Sequence, residues 1–229
     1  MNQAFEILKA RALSLNLPSM DEYEYKKIHT KPLLPLSLKI DCDQFLEDII
    51  RYDSKFRQWG NRYTELPRYG LPLVNENGSL DNPIDPTLGS LSHWNEDYPS
   101  NPYMETDFEQ PTEAMYMKSL QPLRIFHKHW TRSNILKWYN GAEFKPHIDT
   151  TFPALWFRFW ATTDPSTIKL GFENNGQIEY EENIEPGRLY LIDTSIIHVA
   201  QATGLNYQFF LSVNPSACTL IKTLLVADR

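Results

Sequence analysis

Cysteine is scarce in this chain. The 2 present among 229 residues, Cys42 and Cys218, are too few for a disulfide scaffold and too far apart for a Cys-x-x-Cys metal pair, so they read as buried thiols in a reducing compartment. Long apolar runs are also missing: no segment approaches the roughly 20 apolar residues that a membrane helix requires. The start, MNQAFEILKARALSLNL, has neither a basic leader nor an unbroken apolar stretch, and does not read as a signal peptide. The expectation is a soluble, cytoplasmic protein with no membrane partner. Positive charge is in deficit, with 22 Lys and Arg against 29 Asp and Glu, a net charge of −7 and a pI near 5.4. Such a balance opposes attraction to phosphate backbones and anionic lipid, so a nucleic-acid binder is not expected. Internal repeats, low-complexity tracts and linkers are absent from the sequence.

What the chain does have is core-forming material, with 41% hydrophobic and 13% aromatic residues, in a length that suits a single domain over residues 1–229. Residues 41–60 carry Phe45, Ile49, Tyr52, Phe56 and Trp59 at steps of three and four, with Asp41 or Asp43 as N-cap and Gly60 as stop, which predicts a packing helix. Weaker helices are expected over residues 3–14 and 112–120. Between them, Gly60 to Pro111 is rich in proline, asparagine and aromatics without a sustained period. It reads as a long ordered loop forming the wall or lid of a site. From Ser133 the texture changes to short alternating runs, ILKWY, ALWFRFW, IKLGFE, IEYEE, RLYLID, IIHVA and YQFFLSVN. Short, closely spaced strands fit an antiparallel barrel or double-sheet jelly roll better than parallel units with helical crossovers. The fold expected is mainly β with supporting helices: residues 1–132 as helical support and substrate-side loops, residues 133–229 as a cupin-like jelly-roll core.

Two pieces of that half carry metal-ligand chemistry. PHID supplies His147 and Asp149, and IDTSIIHVA supplies His198. Residues two apart on a strand point to one side, so His147 and Asp149 can reach one ion from a single strand end, with His198 delivered by a partner strand. Two imidazoles and one carboxylate form the facial set that leaves adjacent positions open on Fe(II). A neutral His198 buried in the core is the plainer alternative.

The segment from Trp138 to Asn214, about a third of the chain, resembles the core of the aspartyl/asparaginyl β-hydroxylase group. This is a branch of the Fe(II)- and 2-oxoglutarate-dependent oxygenases that also includes free-proline hydroxylases. The matched pieces are NGAEFKPHID, with Gly141 six residues before His147, and EPGRLYLIDTSIIHVAQ, similar to the family's Gly-x-x-x-x-Phe-Asp-(Asp/Thr)-Ser-x-x-His stretch. The resemblance implies a double-stranded β-helix with His147, Asp149 and His198 as iron ligands. It also implies 2-oxoglutarate and O₂ as co-substrates, and hydroxylation of an unactivated C–H bond in an amino acid, free or within a polypeptide.

The family places an arginine ten residues after the distal histidine to hold the keto acid's distal carboxylate; here that position is Gln208. Arg158, in WFRFW, is the replacement the sequence offers. It shares a strand side with Trp156 and Trp160, leaving Phe157 and Phe159 for the other face, and the family also carries an arginine on this strand. A surface arginine with a covered stem is the alternative. Arg188 follows the turn Pro186-Gly187 and is expected to face solvent. Trp138 and Trp160 are candidates to line the pocket, or ordinary core residues.

His127 and His129 in HKHW, with Arg132 and Lys137, read as a solvated face, because no third ligand lies nearby. His29 and His93 show no partner pattern. In the long loop region, Arg68, Asn75 and Trp94 are candidate contacts for the primary substrate. Two competing readings are a cupin-like metalloenzyme that does not use 2-oxoglutarate, which Gln208 favours, and a non-catalytic jelly-roll binding module.

Overall fold

The computed structural model describes residues 3–17, 22–60, 65–149 and 156–226. Four strands precede Trp130: β1 (Leu33–Lys39), β2 (Arg57–Gln58), β3 (Arg68–Asn75) and β4 (Gln110–Pro111). Eight follow: β5 (Trp130–Trp138), β6 (Glu143–His147), β7 (Phe157–Thr162), β8 (Ile168–Asn174), β9 (Gln177–Tyr180), β10 (Arg188–Ile192), β11 (His198–Ala202) and β12 (Asn206–Val213). They form two sheets, a large one in the order β1-β10-β7-β12-β5-β3-β2, with β4 beside β3, and a smaller one in the order β6-β11-β8-β9. The last eight strands divide four to each sheet, β5, β7, β10 and β12 facing β6, β8, β9 and β11. That connectivity is a double-stranded β-helix, or jelly roll.

The period-two pattern decides which side chains enter the barrel. On β12, Tyr207, Phe209, Leu211 and Val213 join an apolar layer with Phe45, Ile49 and Phe126 on the outside of the large sheet. Gln208, Phe210 and Ser212 alternate with them and face the other way. On β7, Phe157 and Phe159 join the same outer layer, whereas Trp160 packs with Leu170, Phe172 and Ala200 of the small sheet. Each large apolar side chain so buried contributes about 1.5–3 kcal/mol, which is enough to fix the register of these strands.

The helices are α1 (Gln3–Ser14), α2 (Glu22–Ile28), α3 (Cys42–Ile49), α4 (Leu91–Asp97) and α5 (Cys218–Leu224). The single helix expected over residues 41–60 is shorter. Asp41 caps it as foreseen, its carboxylate accepting from Gln44 N at 3.0 Å, but the chain tightens into a 3₁₀ turn over Ile50–Lys55, and Arg57–Gln58 then pairs as a strand. Trp59 packs in the barrel core instead. The expected helix at 112–120 is two 3₁₀ stretches, Glu113–Tyr116 and Lys118–Phe126, the second containing Pro122.

The first 132 residues are also more than helical support, because β1 and β3 extend the large sheet on both sides. Proline hid them: Pro35 lies on the edge strand β1, and Pro72 lies at a register shift in β3, the two settings in which a sheet tolerates proline. Among the described residues no helix is long and apolar enough to cross a membrane.

Candidate metal centre

The paired strands β6 and β11 bring His147 and His198 into direct register, with ring centroids 4.3 Å apart. Asp149 follows two residues after His147, and its backbone N–H donates to Thr194 O at 3.0 Å, which ties it to the turn between β10 and β11. His147 Nε2 lies 3.5 Å from Asp149 Oδ1, and one ligand atom from each of the three residues falls within 4.8 Å of the others.

Each imidazole is oriented by the backbone carbonyl two residues before it. His147 Nδ1 donates to Lys145 O at 2.7 Å, and His198 Nδ1 donates to Ile196 O at 3.0 Å. A carbonyl oxygen can only accept, so the proton of each neutral ring sits on Nδ1 and the Nε2 lone pair is left for a cation. Burial holds the His198 pKa below the ordinary histidine value, with Asp149 opposing, so this ring stays neutral. Burial also disfavours charge on His147, but Asp149 outweighs it and raises that pKa. Burial works against the Asp149 carboxylate too, and the hydrogen bond to His147 with the charge of Arg158 holds it well below the usual range. A charged carboxylate beside two outward-turned nitrogens fits a divalent ion, and the two-histidine, one-carboxylate donor set is that of non-haem Fe(II).

The three residues line a cavity of about 720 Å³ between the open end of the barrel, α1, α4 and the turn at Glu105. This lies within the usual range for small-molecule sites. Among the described lining residues, four are cationic (Arg68, Arg132, Lys145 and Arg158) and four are carboxylates (Glu96, Glu105, Glu143 and Asp149). The charges are not spread evenly. Arg158 donates through Nη1 to Ser212 Oγ and through Nη2 to Glu105 Oε1 at 2.8 Å. Arg132 Nη2 lies 3.5 Å from the same Glu105 oxygen. Burial disfavours the Glu105 carboxylate, yet Arg158 and Arg132 hold its pKa below the usual range.

Of the residues singled out in the sequence, the cavity gathers His147, Asp149, His198, Arg158 and Arg68. Arg68 is 4% exposed, donates to Glu143 O at 2.6 Å and lies over the Phe144 ring at 4.8 Å. The cavity does not gather Trp138, Trp160, Gln208, Asn75 or Trp94. Trp160 Nε1 donates to Gln208 Oε1 at 2.9 Å, both fully buried, because two residues before Phe210 the alternation of β12 points Gln208 into filled barrel core. Trp138 packs edge-on to Phe144 in that core. Asn75 closes a turn, accepting from Asn77 N and Gly78 N and donating to Ser79 O. Trp94 lies against Tyr98, its Nε1 donating to Asn101 O, and does not line the cavity.

Arg132 corrects another expectation: it is buried in the cavity wall rather than solvated, donating to Pro86 O and Gly89 O. Lys137 pairs with Asp53, and Arg188 donates to Leu36 O and Glu185, both away from the cavity. His127 is solvent-exposed and His129 half-buried; His29 stacks on Tyr25, while His93 lines the cavity from α4. Glu105 and His93 sit in the long loop region, where no period marks an inward residue. For Arg132 the signal was present, since β5 alternates and Arg132 shares its side with Asn134.

No protein-family model matches the chain, and no curated protein matches it. Among solved structures it is similar to a prolyl hydroxylase from Trichoplax adhaerens in complex with a hypoxia inducible factor peptide, at 12% identity and a TM-score of 0.46, covering 88% of this chain and 96% of that one. It is similar to a prolyl-4-hydroxylase from Pseudomonas putida at 12% identity and a TM-score of 0.41, covering 84% and 96%. Peruvianin-I, a cysteine peptidase from Thevetia peruviana latex, gives 20% identity and a TM-score of 0.29; this chain spans 56% of its length, and 43% of the length of an oxalate oxidase. At these identities and scores the chemistry is read from the cavity's own residues.

Proposed function

We propose that the protein is an Fe(II)- and 2-oxoglutarate-dependent oxygenase that hydroxylates an unactivated C–H bond, most fittingly in an amino acid, free or within a polypeptide. The observation that carries this reading is the pairing, in one cavity, of His147, Asp149 and His198 with the buried guanidinium of Arg158. The triad would hold the iron, and Arg158 would receive the distal carboxylate of the keto acid as a charge-assisted hydrogen-bonded pair. The charge balance supports it: the described lining sums to zero formal charge with its histidines neutral, so a divalent ion leaves two positive charges for a dianion to match. When bound, iron and keto acid supply the oxidising chemistry with O₂.

The chain's own work is placement and exclusion of water. Lys145 O and Ile196 O keep both Nε2 atoms turned to the ion. Thr194 O fixes the Asp149 backbone. Phe144, Trp156, Ile192 and Phe210 supply apolar wall around the reacting centre, and Leu8 of α1 closes the outer side. No side chain needs to move a proton from the target carbon. The substrate class follows the motif resemblance of the triad segments.

The test is anaerobic addition of Fe(II) and then 2-oxoglutarate to the purified protein. A visible charge-transfer band from keto acid chelated to iron supports the reading, and bound iron without a band removes it. The second outcome would favour a metalloenzyme of this fold that does not use 2-oxoglutarate. One observation speaks for that alternative: Gln208, at the usual arginine position, is sealed against Trp160 in the core.

A further inference from the structure

A tyrosine from outside the barrel reaches the turn that holds Asp149. Tyr25 lies on α2, is 2% exposed and does not line the cavity. Its ring is fixed by stacking: the His29 ring lies against it with centroids 4.0 Å apart, and Phe157 of β7 is nearly parallel to it at 6.2 Å. The hydroxyl is thereby aimed at the turn between β10 and β11, where it donates to the Asp193 carboxylate and accepts from the Thr194 N–H. The carbonyl of the same Thr194 accepts from the Asp149 N–H at 3.0 Å. One residue thus joins the buried phenol to the carboxylate member of the triad.

Asp193 shows why a hydroxyl is needed there. It is buried, and a carboxylate taken out of water requires donors for its oxygens. Ser195 supplies two, its N and Oγ reaching Oδ1 at 2.9 and 2.6 Å, which closes the turn, and Tyr25 supplies another. The Asp193 N–H donates to Pro32 O at 2.8 Å, just ahead of β1. The turn is therefore held by the entry to β1 and by α2, and neither attachment uses a residue that lines the cavity.

We propose that Tyr25 and Asp193 are positioning residues for the metal centre: together they lock the turn at Thr194, through which Asp149 is aimed at the ion. The inference rests on His147, Asp149 and His198 as the metal ligands, and is independent of keto-acid use. It extends the centre to α2, a helix remote in sequence from the strands that carry the ligands. Without the hydroxyl, Asp193 loses a donor and the Thr194 N–H loses its acceptor, so the carbonyl that holds Asp149 is freed to turn away.

The test uses Tyr25→Phe in the full chain, which keeps the stacked ring and removes only the hydroxyl. Two quantities are read: Mn(II) affinity by equilibrium dialysis, and exchange of the Asp149 amide proton by NMR in the metal-free protein. Tyr25→Phe should lower Mn(II) affinity about tenfold, the lower end of what outer partners of metal ligands contribute, and should speed Asp149 exchange several-fold. Asp193→Asn should do the same, and the double variant should lose no more than the larger single loss, because both act through one contact. The control is Phe45→Leu, which thins the outer layer against Tyr207 and Phe209. It should lower Tm and leave both readouts at their wild-type values. Wild-type affinity and exchange in Tyr25→Phe, additive losses in the double variant, or an equal loss of metal affinity in Phe45→Leu would each overturn the proposal. If His147→Ala abolishes Mn(II) binding while Tyr25→Phe changes nothing, the metal reading stands and the positioning role falls. If wild type binds no Mn(II), the metal reading falls, and Asp149 exchange by itself upholds or removes the hold of Tyr25 on that residue.

Discussion

His147 and His198 face each other as a register pair across β6 and β11, and each donates its Nδ1 proton to the carbonyl two residues earlier in its own chain. The local backbone itself chooses the tautomer, so no separate side-chain partner is needed to aim either Nε2. Orientation by the backbone is also cheap in entropy, because the carbonyls are already fixed in or beside the small sheet.

If this pair and Asp149 hold the ion, His147→Ala and His198→Ala should each lower Fe(II) or Mn(II) affinity by at least about 100-fold, since even outer partners of metal ligands are worth 10–100-fold. Equilibrium dialysis with metal analysis reads this directly. Arg158→Gln should bind metal like wild type. Retention of full affinity by either histidine variant would place the ion elsewhere.

The opposite pKa shifts of the two rings give metal binding a defined pH dependence. His147 is raised above the ordinary histidine range and His198 is lowered, so His147 is the ring from which a cation must displace a proton. Apparent metal affinity should rise with pH through the His147 pKa and level off above it. For the metal-free fold the sign is reversed. The charged His147–Asp149 pair contributes stability that is fully present below His147's unfolded pKa of about 6.5 and is lost as pH rises through its higher folded value. At the acid end, the depressed Asp149 loses its share only as pH falls below about 3.9. Calorimetry of Mn(II) binding in two buffers of different ionisation enthalpy should show more proton release at pH 6.5 than at pH 8; equal release at both would contradict the assignment.

Gly187 carries the fold-level counterpart. It has φ +70°, and a Cβ there would lie 2.1 Å from Ile40 O. Its N–H donates to Thr162 O and its carbonyl accepts from Ile40 N, both at 2.8 Å, which joins the end of β7 to the exit of β1 at the turn before β10. Gly187→Ala should cost about 2–3 kcal/mol through backbone strain and displacement. For a chain of this size that is a fall in Tm of roughly 5–10 °C. Because β10 leads to Thr194, which fixes Asp149, metal affinity should fall with it. An unchanged melting curve would rule out the strain argument.

The triad was legible because a strand's period of two converts His-x-Asp into a shared side, and the Gly-turn, strand and Asp-Thr-Ser sequence before His198 specifies where the third ligand arrives. Arg158 was legible for the same reason: with Phe157 and Phe159 assigned to one apolar layer, it had to face the barrel. Glu105 was not legible, because a turn in an aperiodic region has no face until its neighbours are placed. Gln208 and Trp160 show the limit of alternation: it gives the side of the sheet but not the depth, and depth decides between cavity wall and filled core.

Depth also decides what Arg158→Gln will do. Two separate quantities should change, one electrostatic and one structural. Without the guanidinium, 2-oxoglutarate affinity measured by the charge-transfer band should drop at least about tenfold while iron affinity holds. The same change leaves Glu105, 3% exposed, with Arg132 as its remaining guanidinium at 3.5 Å, and breaking a buried pair of this kind costs about 3 kcal/mol. Combining it with Glu105→Gln should recover neither quantity, since Arg132 then loses the carboxylate that answers its charge and the keto-acid affinity that depended on Arg158 stays lost. A double variant that regains both would mean that Arg158 acts only as a structural partner of Glu105, and the anchor would then fall to Arg132 alone.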